Sequence, residues 1–290
     1  MARKIPYTLS LLSLFMAYTS AYAGTEGQKT GYPDGFMLGA GAGVTEFMDS
    51  GTYNTTANNL VNSTNNRSFR FGFMGDVIAG YGRRVYKPFY LGTELGLNIF
   101  GTRKTSFSRA SQLDVTVVQT EFGSSSVVRN DTLSDTTTVS GNVLVPSFDI
   151  KPGLLVTPNS LLFARVGINY NQIHVVKNSM YQSSGLFTSP DATELTMTQS
   201  GLYSSEKKQL IGLRTGVGFE YLISDNIGLA ANYVYAFYNS VNTQMVGTSS
   251  RVACDTIEGC HVNGDGTYVA SGKSKISDQQ ALLQLIYHLT

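Results

Sequence analysis

A chain of 290 residues with 14% charged side chains and a net charge of +1 carries no excess of basic groups with which to hold nucleic acid by counterion release. It has 30 Gly, 17 Tyr and 15 Phe, and its mean hydropathy of −0.05 argues against a helical membrane protein. A soluble all-β sandwich and a membrane β-barrel both stay open at this level.

The chain opens on a secretory signal. Arg3 and Lys4 form a positive start, and 9–18 forms a short apolar core with Leu11, Leu12, Leu14 and Phe15. Ala21-Tyr22-Ala23 is an A-x-A site, so cleavage is expected between Ala23 and Gly24. No lipobox cysteine follows, which argues against a lipoprotein. The expected organisation is a signal at 1–23, a periplasmic N-terminal segment at 24–34 and an outer-membrane barrel domain at 35–290.

After the signal no run of ~18 apolar residues occurs, so no transmembrane helix is expected. Eight segments instead alternate apolar and small or polar residues: 35–48, 67–81, 87–101, 143–156, 161–174, 208–222, 226–240 and 276–289. A period of two sends successive side chains to opposite faces of a strand. In the third segment Phe89, Leu91, Thr93, Leu95, Leu97 and Ile99 share one face, against Gly92, Glu94, Gly96 and Asn98. In the seventh, Ile227, Leu229, Ala231, Tyr233, Tyr235 and Phe237 oppose Gly228, Ala230, Asn232 and Ala236.

The connections alternate in length. Those at 82–86, 157–160 and 224–225 are short; those at 49–66, 102–142, 175–207 and 241–275 are long and rich in Ser, Thr, Asn and Gly. Short periplasmic turns and four long extracellular loops are the pattern of an eight-stranded antiparallel transmembrane β-barrel, an all-β fold. Thr116, Val118 and Thr120 alternate inside the second loop, so strands are expected to extend there above the membrane.

A sandwich alternates too, and the minority face separates the two readings. It is Gly-rich with isolated charges, which suits a narrow lumen better than a wet surface. By parity Arg70, Asp76, Glu94, Asp149, Lys151, Arg165, Arg214 and Glu220 all fall on it, four basic and four acidic. A charge facing lipid costs about 2–4 kcal/mol for Arg or Lys at mid-depth, and a charge inside must be paired. Phe36, Tyr81, Phe89, Tyr221 and Tyr287 toward one end, with Phe47, Phe69, Tyr170 and Phe237 toward the other, form two expected aromatic girdles. Pro146 and Pro152 in the fourth segment must each forgo a ladder bond unless they sit at a bulge or strand end.

The Gly-rich opening Gly35-Phe36-Met37-Leu38-Gly39-Ala40-Gly41-Ala42-Gly43 and the closing alternation of Leu283, Leu285, Tyr287 and Leu289 complete the pattern. With them, 35–290 resembles the eight-stranded outer-membrane proteins of the OmpA-like transmembrane-domain and opacity-protein-like porin families. The resemblance implies a bacterial outer-membrane location, outer-membrane lipid and lipopolysaccharide as surroundings, insertion by the barrel-assembly machinery, and a monomer. Thr290 stands where the family's closing strand ends in Phe. The chain ends with that strand, so no peptidoglycan-binding domain is expected.

Cys254 and Cys260 lie six apart in a polar segment, and in an oxidising compartment a disulfide closing a small loop is the natural reading. A metal site needs more ligands than these two and His261, so no metal and no cofactor is expected. Three functions compete. One is a structural surface protein, plugged by ion pairs, whose loops meet a host or environmental ligand in adhesion; a small porin passing ions or small solutes is the second. The third, a lipid-modifying enzyme, needs a nucleophile beside a base, and around His174, His261 and His288 no Ser-His-acid spacing stands out, so no enzyme activity is expected. The run 39–43 lacks the Lys-Ser/Thr and the helix of a phosphate loop.

Overall fold

A computed structural model describes residues 32–57, 60–118, 126–188, 193–255 and 259–289. The signal and its Ala23–Gly24 junction lie outside the described residues, as does 24–31 of the expected periplasmic segment. Eleven strands account for nearly all of the rest: β1 (Gly35–Ala57), β2 (Leu60–Tyr86), β3 (Phe89–Phe100), β4 (Lys104–Val118), β5 (Ser126–Gly141), β6 (Leu144–Thr157), β7 (Ser160–Thr188), β8 (Thr193–Leu222), β9 (Ile227–Tyr238), β10 (Val241–Asp255) and β11 (Gly259–Leu289). Among the described residues no helix is long and apolar enough to cross a membrane, which says nothing of crossing by strands.

Eight of the strands close into an antiparallel ring in the order β1-β2-β3-β6-β7-β8-β9-β11, and β11 returns to pair with β1. That closing ladder runs without a slip from Phe36↔Leu289 to Ala57↔Tyr268. A closed ring leaves no free sheet edge around the apolar part of the chain. One end is closed by short turns at Lys87-Pro88, Pro158-Asn159 and 223–226. The first lies beyond the expected 82–86 because β2 stays paired with β3 as far as Tyr86↔Phe89.

At the other end the four long connections are built largely of strand. β4 continues the course of β3 past a break at 101–103, β5 leads into β6 past 142–143, and β10 continues β9 past 239–240. β5 pairs with both β4 and β7, while β10 pairs with β11 and β8. β8 is 30 residues long, roughly 100 Å at ~3.3 Å per residue, about three times what a tilted membrane crossing uses. Among the described pairings no ladder joins β4 to β2, so β2 above Met74 is laddered on one side only, to β1.

The face assignment follows the alternation. β3 reads exposed, buried, exposed, buried along most of its length, with Leu91, Leu95, Leu97 and Ile99 outward. Outward Leu, Ile, Val and Phe recur around the ring, among them Leu38 and Val44 on β1, Val166 and Ile168 on β7, Ile211 and Val217 on β8, and Leu283 and Leu285 on β11. A continuous apolar belt of this kind is far larger than the patches soluble monomers leave wet. Phe36, Tyr81, Phe89 and Tyr287 lie exposed near the turn end, and Phe69, Tyr170 and Phe237 near the hairpin end. Phe47 departs from the expected girdle. Its odd position on β1 shares the parity of Met37 and Thr45, so it points inward and is buried.

Both prolines find places where they do little harm. Pro146 precedes the first β6–β7 pair, Ser147↔Asn169, and Pro152 falls in the gap between Ile150↔Val166 and Gly153↔Phe163. Both keep their register with β3, opposite Leu97 and Leu91.

Candidate functional site

The interior of the ring is filled in layers. At the turn end Tyr32, Tyr90, Leu161, Phe163 and Leu222 form one apolar cluster, and Met37, Ile78, Ala230 and Ile286 form another. Tyr32 belongs to the expected periplasmic segment, yet its ring stands edge-on to Tyr90 at 5.2 Å and to His288 at 5.4 Å inside the barrel. At the hairpin end Phe47, Val139, Ile173, Val175, Ala236, Tyr238, Val241 and Ile276 form a larger cluster.

Between these layers lies a chain of buried charges. Lys151 on β6 donates to Glu94 of β3 at 2.9 Å and to Glu220 of β8 at 3.2 Å. Glu220 also meets His288 Nε2 of β11 at 2.8 Å. Arg165 on β7 donates to Glu94 at 2.5 Å and stands 3.6 Å from Asp149, which Arg214 approaches at 3.2 Å. The Lys151 ammonium also rests over the Phe163 ring, 4.0 Å from its centre. The Lys151–Glu220, Glu94–Arg165, Asp149–Arg214 and Glu220–His288 contacts join strands that are not neighbours in the ring, so these side chains reach across the bore. Small residues make the room: a Cβ added at inward-facing Gly41 would collide with Asp76 and Gln284.

Of the eight residues expected in the lumen, Asp76, Glu94, Asp149, Lys151, Arg165, Arg214 and Glu220 are buried. Asp76 accepts a hydrogen bond from Gln284, which in turn accepts one from Asn232 at 2.6 Å. Arg70 is the exception. It has inward parity, opposite Phe47, but is exposed, because β2 has passed the end of its pairing with β3. The fourth buried cation of this region is Arg103, which sequence reasoning placed in a loop. It pairs with Asp278 and lies over the rings of Phe100 at 4.0 Å and Phe47 at 5.0 Å. Tyr238 donates to the same Asp278 at 3.0 Å and accepts from Asn169 at 2.8 Å. A signal for part of this was present in the eighth segment, where Asp278, Gln280, Gln284 and His288 all share the parity opposite Leu283 and Leu285.

The hairpin extension has its own interior. Asp49 accepts from Tyr53 at 3.0 Å, and the Tyr53 hydroxyl lies 2.8 Å from Ser274 Oγ. Burial raises the Asp49 carboxyl and the Tyr53 phenol above their ordinary values. Lys177, buried opposite, reaches the Ser271 carbonyl at 3.4 Å, and burial lowers its ammonium below the usual lysine value.

Two sequence candidates lie outside the ring's interior. His174 does find a serine: its Nε2 is 2.8 Å from Ser205 Oγ on the neighbouring strand, a pairing that spacing along the chain does not reveal. The contact is exposed, and among the described residues no carboxylate is in contact with that ring; nearby Glu206 pairs with Lys208 at 3.1 Å. The register of β10 with β11 sets Cys254 directly opposite Cys260, next to Ala253↔His261. Their side chains lie outside the described residues.

Solved structures that this chain matches include the attachment invasion locus protein Ail of Yersinia pestis, 9% identical over 86% of this chain and 99% of that one, with a TM-score of 0.28. The outer membrane protein OprG of Pseudomonas aeruginosa is 9% identical over 89% and 99%, with a TM-score of 0.38. The outer membrane protease OmpT of Escherichia coli is 10% identical over 92% and 100%, with a TM-score of 0.33. No curated protein matches the sequence. One family model does, the domain of unknown function DUF2715, over residues 10–269, and the chain belongs to that family.

Proposed function

We propose that this chain is a β-barrel of the bacterial outer membrane, plugged along its bore, that acts through the hairpins standing outside the lipid. The outward apolar belt needs a hydrocarbon solvent, and a closed barrel is the strand structure that satisfies its backbone there. The observation that carries the plugged reading is the Glu94–Lys151–Glu220–His288 chain, which runs across the lumen from β3 to β11. Eight strands leave a bore that side chains just fill. The extension then offers a surface for contact with a host or environmental ligand, in adhesion or a related structural role. Outer-membrane lipid and lipopolysaccharide around a monomer, and insertion by the barrel-assembly machinery, belong to the same reading.

The test is refolding into lipid, followed by gel migration with and without boiling and by planar-bilayer recording. A band that shifts on boiling and a silent bilayer are expected. Steady unitary currents would replace the plugged barrel with a small porin. A protein that stays soluble and shows no shift would end the membrane reading.

The opposed positions of Cys254 and Cys260 support a disulfide that ties the tip of the β10–β11 hairpin. Maleimide labelling of the folded, unreduced protein is expected to find no reactive thiol, and labelling after reduction to find two. Full labelling before reduction would remove the disulfide.

A further inference from the structure

On the outward faces of β1, β2 and β11 the charges are segregated. Ser50 pairs with Arg67 on one side and Lys275 on the other, and Thr52 pairs with Asn65 and Lys273 in the next row. All six are exposed or half-buried, and together they line a cleft of about 270 Å³. Among the described side chains the single carboxylate on these three outward faces is Glu46, two rows nearer the apolar belt and opposite Phe71 and Gln279. Three cations thus share one cleft with no acid in it.

The depth of the cleft is set by its neighbours. Phe69 lies two residues below Arg67 on the same face, about 7 Å along the strand, and Phe71 and Phe73 follow it into the belt, all exposed. The polar layer of a bilayer occupies roughly 5–8 Å beyond each side of the hydrocarbon, so the cleft stands at headgroup height. Arg67 Nη2 reaches down to Met48 Sδ at 3.7 Å, one row nearer the belt. Thr52 Oγ1 donates to Asn65 Oδ1 at 2.7 Å, which leaves the Asn65 amide nitrogen as a donor. Arg67 and Lys275 flank Ser50 two strands apart, about 10 Å between backbones, a span over which two long cationic side chains converge on one anion.

We infer that this cleft binds the phosphate of an anionic lipid headgroup in the leaflet that meets the hairpin end. Arg67 supplies the forked donor and Lys273 and Lys275 supply point charges. The inference rests on the membrane reading above.

The test is native mass spectrometry of the refolded barrel in nonionic detergent, titrated with phosphatidylglycerol or phosphatidylcholine. One retained phosphatidylglycerol is expected, held at least tenfold more tightly than phosphatidylcholine. The triple variant Arg67→Gln, Lys273→Gln, Lys275→Gln is expected to lose that preference while keeping the boiling-dependent band shift. A variant elsewhere on the outward surface, Lys104→Gln with Lys207→Gln, is expected to keep it. Equal retention by the triple variant and the parent would overturn the site. Displacement of the lipid by inorganic phosphate at equal concentration would overturn the lipid as its occupant. Absence of the band shift in the parent protein would instead bring down the membrane reading, and the inference with it.

Discussion

Replacing Arg165 with Met is expected to cost the folded barrel about 3–5 kcal/mol, the range for removing one partner of a buried ion pair. Arg165 is 2% exposed and serves two carboxylates, Glu94 and Asp149. The wider balance makes its loss worse. Leaving His288 aside, among the described residues the ring's interior holds five buried carboxylates, Asp76, Glu94, Asp149, Glu220 and Asp278, against four cations, Arg103, Lys151, Arg165 and Arg214. Removing Arg165 leaves three cations for five acids, whereas Glu94→Gln leaves four for four, so the second change is expected to be the milder. Arg70→Met, at an exposed position, is expected to fall within about 0.5 kcal/mol of the parent. Urea unfolding in phospholipid vesicles, read by the loss of the boiling-sensitive band, measures all three. Equal midpoints for Arg165→Met and Arg70→Met would mean that the buried network does not hold the barrel together.

The ring was legible in the sequence because a membrane crossing forces contrast between its two faces. Lipid admits only apolar groups outside, and a narrow bore admits Gly and paired charges inside, so parity alone placed Glu94, Lys151, Arg165 and Glu220. The extensions of β7 and β8 lack that contrast. Water lies on the outside there, and positions such as Ser204, Ser205 and Glu206 read as loop although they pair in register with Lys177, Val176 and Val175. Arg103 was lost for the same reason, since it falls in the break between β3 and β4, where the alternation stops. Arg70 shows the converse error. Parity gave its face correctly, but whether that face is covered depends on where the neighbouring strand ends, at Met74↔Phe100, and this is a property of the β2–β3 register. Contacts across the bore, such as Lys151 with Glu220 and Arg165 with Glu94, depend on ring closure and shear, which no single strand encodes.

Leu95→Arg separates the two solvents that an outward side chain can meet. Leu95 is 63% exposed, lies near the middle of β3, and pairs with Ala79 and Phe148, which are also outward. On a soluble protein a substitution at such a surface position changes stability by no more than about 0.5 kcal/mol. At mid-depth in a bilayer the guanidinium loses its hydration, and the cost is expected to be about 2–4 kcal/mol. Ser108→Arg is the matched control, because Ser108 is also outward but lies on β4, beyond the belt, and is expected to be near neutral. The difference between the two variants in vesicles therefore reports solvent and not β-propensity, since both place the same side chain on an antiparallel strand. A Leu95→Arg variant as stable as the Ser108→Arg control would mean that the belt faces water, and the apolar ring would then need a protein partner to cover it.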